Sequence, residues 1–171
     1  MTHTLTKDEV IAALGLSGHF EGGYFRETFR PTHRPKLETS RGLRGTMTSI
    51  YYLLTDDSPV DHFHTKHSDG IQYHHFGAPL TYHLIHPDGR YEAVVLGPDL
   101  HAGQVPSLAV AGGVWKAAEL PTGAYGLVSE VVAPGWEMDD MIQISRADLL
   151  AQFPQHAAVI TRLTAESPSA G

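Results

Sequence analysis

The stretch His62–Gly77, HFHTKHSDGIQYHHFG, holds five of the chain's twelve histidines, and His83 and His86 follow it closely. Imidazole titrates near neutral pH and is a common transition-metal ligand, so such a cluster can move protons or hold a metal. His62-x-His64 has the spacing that puts two side chains on one face of a strand. On that alternation the pair is a chelate for zinc, iron, manganese, nickel or copper. The strand after the KHSDG turn is expected to close a hairpin, with Gly70, Gln72 and His74 on the face of His62 and His64 and with Tyr73 and His75 on the other. The metal set read from the residues is therefore His62 and His64, completed by Gln72 or His74. Without a metal, the same imidazoles can act as general acid and base. His67 falls in the turn and is expected at the surface. His83 and His86 have opposite facings, so at most one of them looks inward.

A second group surrounds EGGYFRE. Tyr24 and Arg26 share a face on alternation, and Glu27 takes the other. Arg26 can bind a carboxylate or phosphate of a ligand, with Tyr24 or a glutamate (Glu21 or Glu27) moving protons; the structural alternative is an exposed strand with a salt bridge. Trp115 is either core packing or an aromatic wall for a ring-shaped ligand. Lys116, if it points into a dry interior, should lose basicity and become usable as a base; otherwise it snorkels to the rim. Glu130 and Trp136 are placed at the mouth of the fold, and Asp139 and Asp140 are expected to cap or solvate a loop.

The elements that must position these residues are mostly strands. A capping-box spacing, Thr6-x-x-Glu9, with Val10, Ile11 and Leu14, predicts a short helix that stops at Gly15. From Gly22-Gly23 onward come extended runs: YFRETF, TMTSIYYLL, GIQYHHF, LTYHLIH, YEAVVLG, SLAVAGG, VWKAAEL and AYGLVSEVV. Turn chemistry such as DDSP, HPDGR and PTG separates them, at the spacing of a β-sandwich or barrel. Ser145-x-x-Asp148 opens a helix closed by Pro154, HAAVITRL gives another, and the tail AESPSAG is expected to fray. The organisation read from this is a single all-β domain over 1–171, with a helical segment at 1–20, the barrel at 21–144 and helices at 145–165.

Bulk properties exclude several classes. With 171 residues, 42% hydrophobic and 18% charged, the chain can bury a core without staples. A net charge of −7 and the lack of a Lys/Arg run argue against nucleic acid. The absence of cysteine removes disulfides, thiolate metal sites and cysteine nucleophiles. MTHTLTKDEV has no basic-then-apolar pattern and no run approaches the ~20 residues a bilayer needs, so no membrane partner and a cytoplasmic location are expected. PDGR and GPDL are turns rather than phosphate loops, and no G-x-S-x-G elbow occurs.

EGGYFRETFR (Glu21–Arg30), HTKHSDGIQYHHFGAPL (His64–Leu80), HPDGRYEAVVLGPDLHAGQ (His86–Gln104) and VAGGVWKAAEL (Val110–Leu120), with SEVVAPGW and LLAQFPQHAAVITRL near the end, are similar to a family of uncharacterised single-domain cupins. The resemblance implies a double-stranded β-helix, or jelly-roll barrel, with a pocket at one mouth, and a homodimer in which an N-terminal strand pairs between subunits. In that superfamily the first motif adds a glutamate to H-x-H and a third histidine comes from a distant strand. Here Gly70 stands at the glutamate position and Lys116 near the third histidine, and a protonated lysine is a poor ligand. Members of the similar family often carry one histidine near position 64, so His62 supplies a second. The implied activity is that of an enzyme on a small polar molecule such as a sugar-nucleotide, a hydroxy acid or a biosynthetic intermediate. It takes one of two forms: a metal-dependent oxygenase or isomerase using Fe, Zn, Mn or Ni, or a metal-free epimerase, dehydratase or cyclase. The alternative is a non-catalytic binding module or sensor.

Overall fold

The computed structural model describes residues 5–20 and 22–165; Glu21 and all but Ala165 of the tail expected to fray lie outside the described residues. Thr6 caps α1 (Lys7–Leu14): its hydroxyl accepts from the Glu9 amide while the Glu9 carboxylate accepts from the Thr6 amide, and Gly15 at φ 60° ends the helix. The chain then runs through β1 (Ser17–Gly18), β2 (Tyr24–Phe29), β3 (Leu37–Thr39), β4 (Gly42–Arg44), β5 (Thr48–Thr55), β6 (Val60–Lys66), β7 (Asp69–Gly77), β8 (Leu80–Ile85), β9 (Tyr91–Leu96), β10 (Ser107–Val110), β11 (Trp115–Glu119), β12 (Tyr125–Ala133) and β13 (Met141–Gln143). It closes with α2 (Arg146–Gln152), capped by Ser145, and α3 (Ala157–Leu163). Among the described residues no helix is long and apolar enough to cross a membrane.

The strands form two facing antiparallel sheets, ordered β1-β2-β5-β12-β7-β10 and β13-β6-β11-β8-β9, with β3-β4 as a separate ribbon. This is the jelly-roll barrel with short terminal helices. Period-2 alternation sorts the side chains. Tyr52, Leu54, Leu80, Tyr82, Ala118 and Val128 meet between the sheets and fill one end of the barrel. Outward residues of the five-stranded sheet, Phe63, Ile85 and Ala117, bury under Leu149, Phe153, Ile160 and Leu163 of the C-terminal segment. Leu53, Tyr125 and Leu127 on the back of the other sheet bury under Val10 of α1.

Two expectations about strand geometry are corrected. β6 and β7 do not form a hairpin: at His67–Ser68 the chain crosses from one sheet to the other, so the two strands face each other across the barrel. The H-x-H pair is also broken. On β11, Lys116 pairs with His64 and Ala118 with Asp61, so three residues of β6 span two of β11. That β-bulge shifts the alternation, turning Asp61 and His64 inward and Phe63 outward.

Candidate functional site

The open half of the barrel holds a cavity of about 190 Å³. Its walls are apolar: Phe25 and Ile50 come from the strands β2 and β5, Val128 and Val132 from β12, and Trp136, Met138 and Met141 from the segment after it. Its floor is ionic. Lys66 Nζ lies 2.5 Å from Glu130 Oε2, and Lys116 Nζ lies 3.0 Å from Glu130 Oε1. Gln72 Nε2 donates to Glu130 Oε1 at 2.6 Å. Asp61 and His64 complete the floor, with His64 Nδ1 2.9 Å from the His62 carbonyl and 3.6 Å from Asp61 Oδ1. Tyr52 and Tyr82 also line this region.

Burial and charge set the protonation of these groups. Burial pushes the Asp61 carboxyl up to about 6, against the pull of Lys116 and Lys66. Burial works against the Glu130 carboxylate as well, but the two ammonium groups in direct contact hold it below the usual range. Burial holds His64 well below the usual imidazole value, with Lys116 and Lys66 adding to the effect, so the ring is neutral. Since a neutral ring must donate to a carbonyl, Nδ1 carries the proton and Nε2 is an acceptor. Burial lowers Lys66, offset in part by Glu130.

The mouth is shaped by the turn before β2. The His19 carbonyl accepts from Gly22 N, and His19 N donates to the Gly23 carbonyl. Tyr52 Oη donates to the Gly22 carbonyl at 2.6 Å, and a Cβ on Gly22, at φ 106°, would lie 2.0 Å from the Val60 carbonyl oxygen, so only glycine fits. The turn thereby presents His19, stacked on Phe20 at 4.4 Å, to the cavity. Burial lowers the His19 ring to about 4, and Lys66 and Lys116 contribute. Glu27 lines the rim and pairs with Arg30 at 2.8 Å, which in turn holds Glu137 at 2.8 Å.

The sequence-predicted residues divide sharply. His64, Gln72, Lys116, Glu130 and Glu27 meet at the cavity, and Glu130 is its centre rather than its mouth. His62 does not line it, because the bulge in β6 rotates its neighbours inward in its place. His74 does not either: it keeps the alternation of Gln72, pairing with Val128, but sits toward the packed end of the barrel, where its ring reaches the Ala78 carbonyl at 3.2 Å. Tyr24 packs beneath α1 with Val10 and Leu53. Arg26 is exposed on the outer face, over the Tyr51 ring at 5.9 Å. Trp115 packs outward against the C-terminal helices. Neither His83 nor His86 looks into the cavity; His83 faces the other way, between Tyr91 and Glu119. Asp140 does cap its loop, held by Arg41 and Arg44.

Sequence reading missed Asp61, Lys66 and His19. Regular alternation from His64 gives Lys66 the same face, a signal that the turn assignment obscured, whereas nothing local announces the bulge that turns Asp61 inward.

The donor set does not fit the divalent metal that the cupin resemblance implies. Among the described residues no three His, Asp or Glu side chains converge as a cage. Beside His64, the positions of a glutamate and a histidine are taken by Gly70 and by an ammonium group, which would repel a cation. A Cβ on Gly70 would lie 3.0 Å from Glu130 Oε1: the carboxylate reaching in from β12 occupies the space a first-motif side chain would need.

The family model described as Cupin superfamily (DUF985) matches residues 8–143. The uncharacterized protein YML079W of Saccharomyces cerevisiae is 36% identical over 160 residues, spanning 85% of this chain and 79% of that one. Among solved structures, a hypothetical protein from Leishmania major superposes with TM-score 0.87 at 32% identity, covering 94% of this chain and 99% of that one. Protein SO0799 from Shewanella oneidensis gives TM-score 0.87 at 34% identity, covering 96% and 100%. Oxalate decarboxylase from Bacillus subtilis, at TM-score 0.56, 15% identity and coverage of 89% of this chain and 37% of that one, shares the fold.

Proposed function

The chain belongs to the DUF985 family of the cupin superfamily, and on that premise we propose that its barrel binds a small molecule and exchanges a proton with it. Asp61 carries the proton, and the Lys66–Lys116 pair takes up the negative charge that develops on a substrate oxygen. The observation behind this reading is a buried carboxyl, raised to about 6, set beside two ammonium groups at the closed end of an apolar cavity. An acid or base with a pKa near the working pH is worth about 10²–10⁴ in rate. Preorganised cations in a dry site stabilise an oxyanion without reorganising at the moment of reaction.

The reaction class is isomerisation or elimination at a carbon next to a carbonyl or carboxylate. The C–H bond breaks, its electron pair moves to the oxygen facing the lysines, and Asp61 takes the proton. Returning it to the other face inverts the centre, and expelling a β-substituent completes an elimination. His64 Nε2 and the apolar walls orient the substrate.

The test is exchange in D₂O. The protein is incubated with a panel of small hydroxy and keto acids, mandelate included, and C–H signals are followed by proton NMR. The expected result is loss of one signal that Asp61→Asn abolishes. Compounds that bind but never exchange would overturn the catalytic reading in favour of a binding module.

A homodimer is also proposed. Ile71 and Tyr73 stand exposed at 39% and 42% on the outward face of β7, apolar surface of the kind a second copy covers. Light scattering should give twice the 18.6 kDa chain mass; a monomer at micromolar concentration would refute it.

A further inference from the structure

We propose that the ammonium group of Lys116 stands in for a divalent cation: it occupies the place between His64 and Glu130 where such an ion would be held, and it keeps one out. The inference goes beyond the proton-exchange reading and does not depend on it.

The groups around Lys116 are those of a half-built ligand sphere. On β11, Lys116 pairs directly with His64 of β6, and both side chains line the cavity. Directly opposed residues on antiparallel strands hold their Cβ atoms about 4.5–5.5 Å apart, within chelating reach of a pair of ligands. His64 Nδ1 donates to the His62 carbonyl at 2.9 Å, the kind of outer bond that fixes the tautomer and orientation of a metal-binding imidazole. From the facing sheet, Glu130 Oε1 comes to 3.0 Å from Lys116 Nζ. A Cβ on Gly70 would lie 3.0 Å from that same oxygen, so β12 supplies the carboxylate that β7 lacks. Gln72 and Lys66 also bind Glu130, and they keep it in place independently of Lys116. Among the described residues no third His, Asp or Glu completes the set. Position 116 is where it would come from.

Charge explains the exclusion. His64 and His19 are held neutral by burial, and Glu27 is paired with Arg30. Lys66 and Lys116 therefore balance Glu130 and, above about pH 6, an ionised Asp61. A dication entering this balanced floor adds two buried charges with nothing to offset them. Without Lys116 the floor carries one net negative charge, and a dication then brings it only to one positive. The ammonium is fixed by a covalent stem, so the positive charge of the site does not vary with the supply of metal.

The test is binding of Co²⁺ to untagged wild type and Lys116→His at pH 7.5, by calorimetry and by the visible absorption of coordinated Co²⁺. Lys116→His should bind one Co²⁺ per chain at least about a hundredfold tighter than wild type, because a unit charge a few ångströms away repels a dication strongly at a protein's effective dielectric. Adding His64→Ala or Glu130→Gln should return binding to the wild-type level, each variant being checked for fold by near-ultraviolet circular dichroism. Should Lys116→His fail that check, Lys116→Cys with Zn²⁺ carries the same prediction, since thiolate is a zinc ligand. A folded variant that binds no tighter than wild type would overturn the proposal. So would binding that survives loss of His64 or Glu130, or a wild type that itself holds a dication lost on His64→Ala. Proton exchange in D₂O is read separately, so its failure would leave this result standing.

Discussion

Replacing Asp61 by Asn should stabilise the protein, and by an amount that depends on pH. Asp61 is 5% exposed and its folded pKa lies near 6 against an ordinary 3.8. The folded state therefore binds the proton more tightly than the unfolded chain does. Stability from this group is full below pH 3.8 and is lost as pH rises through 6. A gap of about two units corresponds to roughly 3 kcal/mol. Asn keeps the size and cannot ionise, so it escapes that loss. Urea titrations of both proteins at pH 4 and at pH 7.5 give the test. The gain of Asp61→Asn over wild type should be larger at pH 7.5 by about 3 kcal/mol, approached smoothly between pH 4 and 6. A difference that does not vary with pH would mean that Asp61 titrates as an exposed carboxyl, and the burial argument would be wrong.

Glu130→Gln removes the carboxylate in direct contact with both Lys66 and Lys116 and should cost about 3–5 kcal/mol by urea unfolding; a cost below about 1 would mean the network is solvated. Phe63→Ala empties a site 3% exposed beneath the C-terminal helices and should cost about 3–5 kcal/mol, also by urea unfolding. Thr6→Ala removes the hydroxyl that accepts from the Glu9 amide in the α1 cap while leaving the backbone amide on the Glu9 carboxylate, and should lower stability by about 1 kcal/mol, read as a lower thermal midpoint. Metal analysis of untagged protein after dialysis should find no stoichiometric divalent metal; one that survived, and vanished on His64→Ala, would contradict the donor-set argument.

The barrel was legible because its signals are local. Alternating runs such as TMTSIYYLL and AYGLVSEVV became β5 and β12, and the caps at Thr6 and Ser145 began helices where expected. Much of the cavity floor was legible too: His64, Gln72, Lys116 and Glu130 all carried a signal in the sequence and all line the cavity. The rest depended on irregularities that composition does not record. One extra residue in β6 exchanges His62 for Asp61, and His74, which does keep the face of Gln72, lies along the strand toward the packed end, a distance that alternation does not record. The sheet switch at His67–Ser68 turns an apparent hairpin into two opposing walls, bringing Lys66 against Glu130 on the other sheet. A histidine-rich string thus suggests a metal centre, whereas the folded chain assembles a lysine–carboxylate floor.

The most direct test is proton exchange followed by NMR in D₂O, with wild type and Asp61→Asn side by side. The account predicts that the wild type exchanges one C–H of a hydroxy or keto acid that it binds and that Asp61→Asn binds the same acid without exchanging it. Binding to the wild type without exchange, or equal exchange by both proteins, would contradict it.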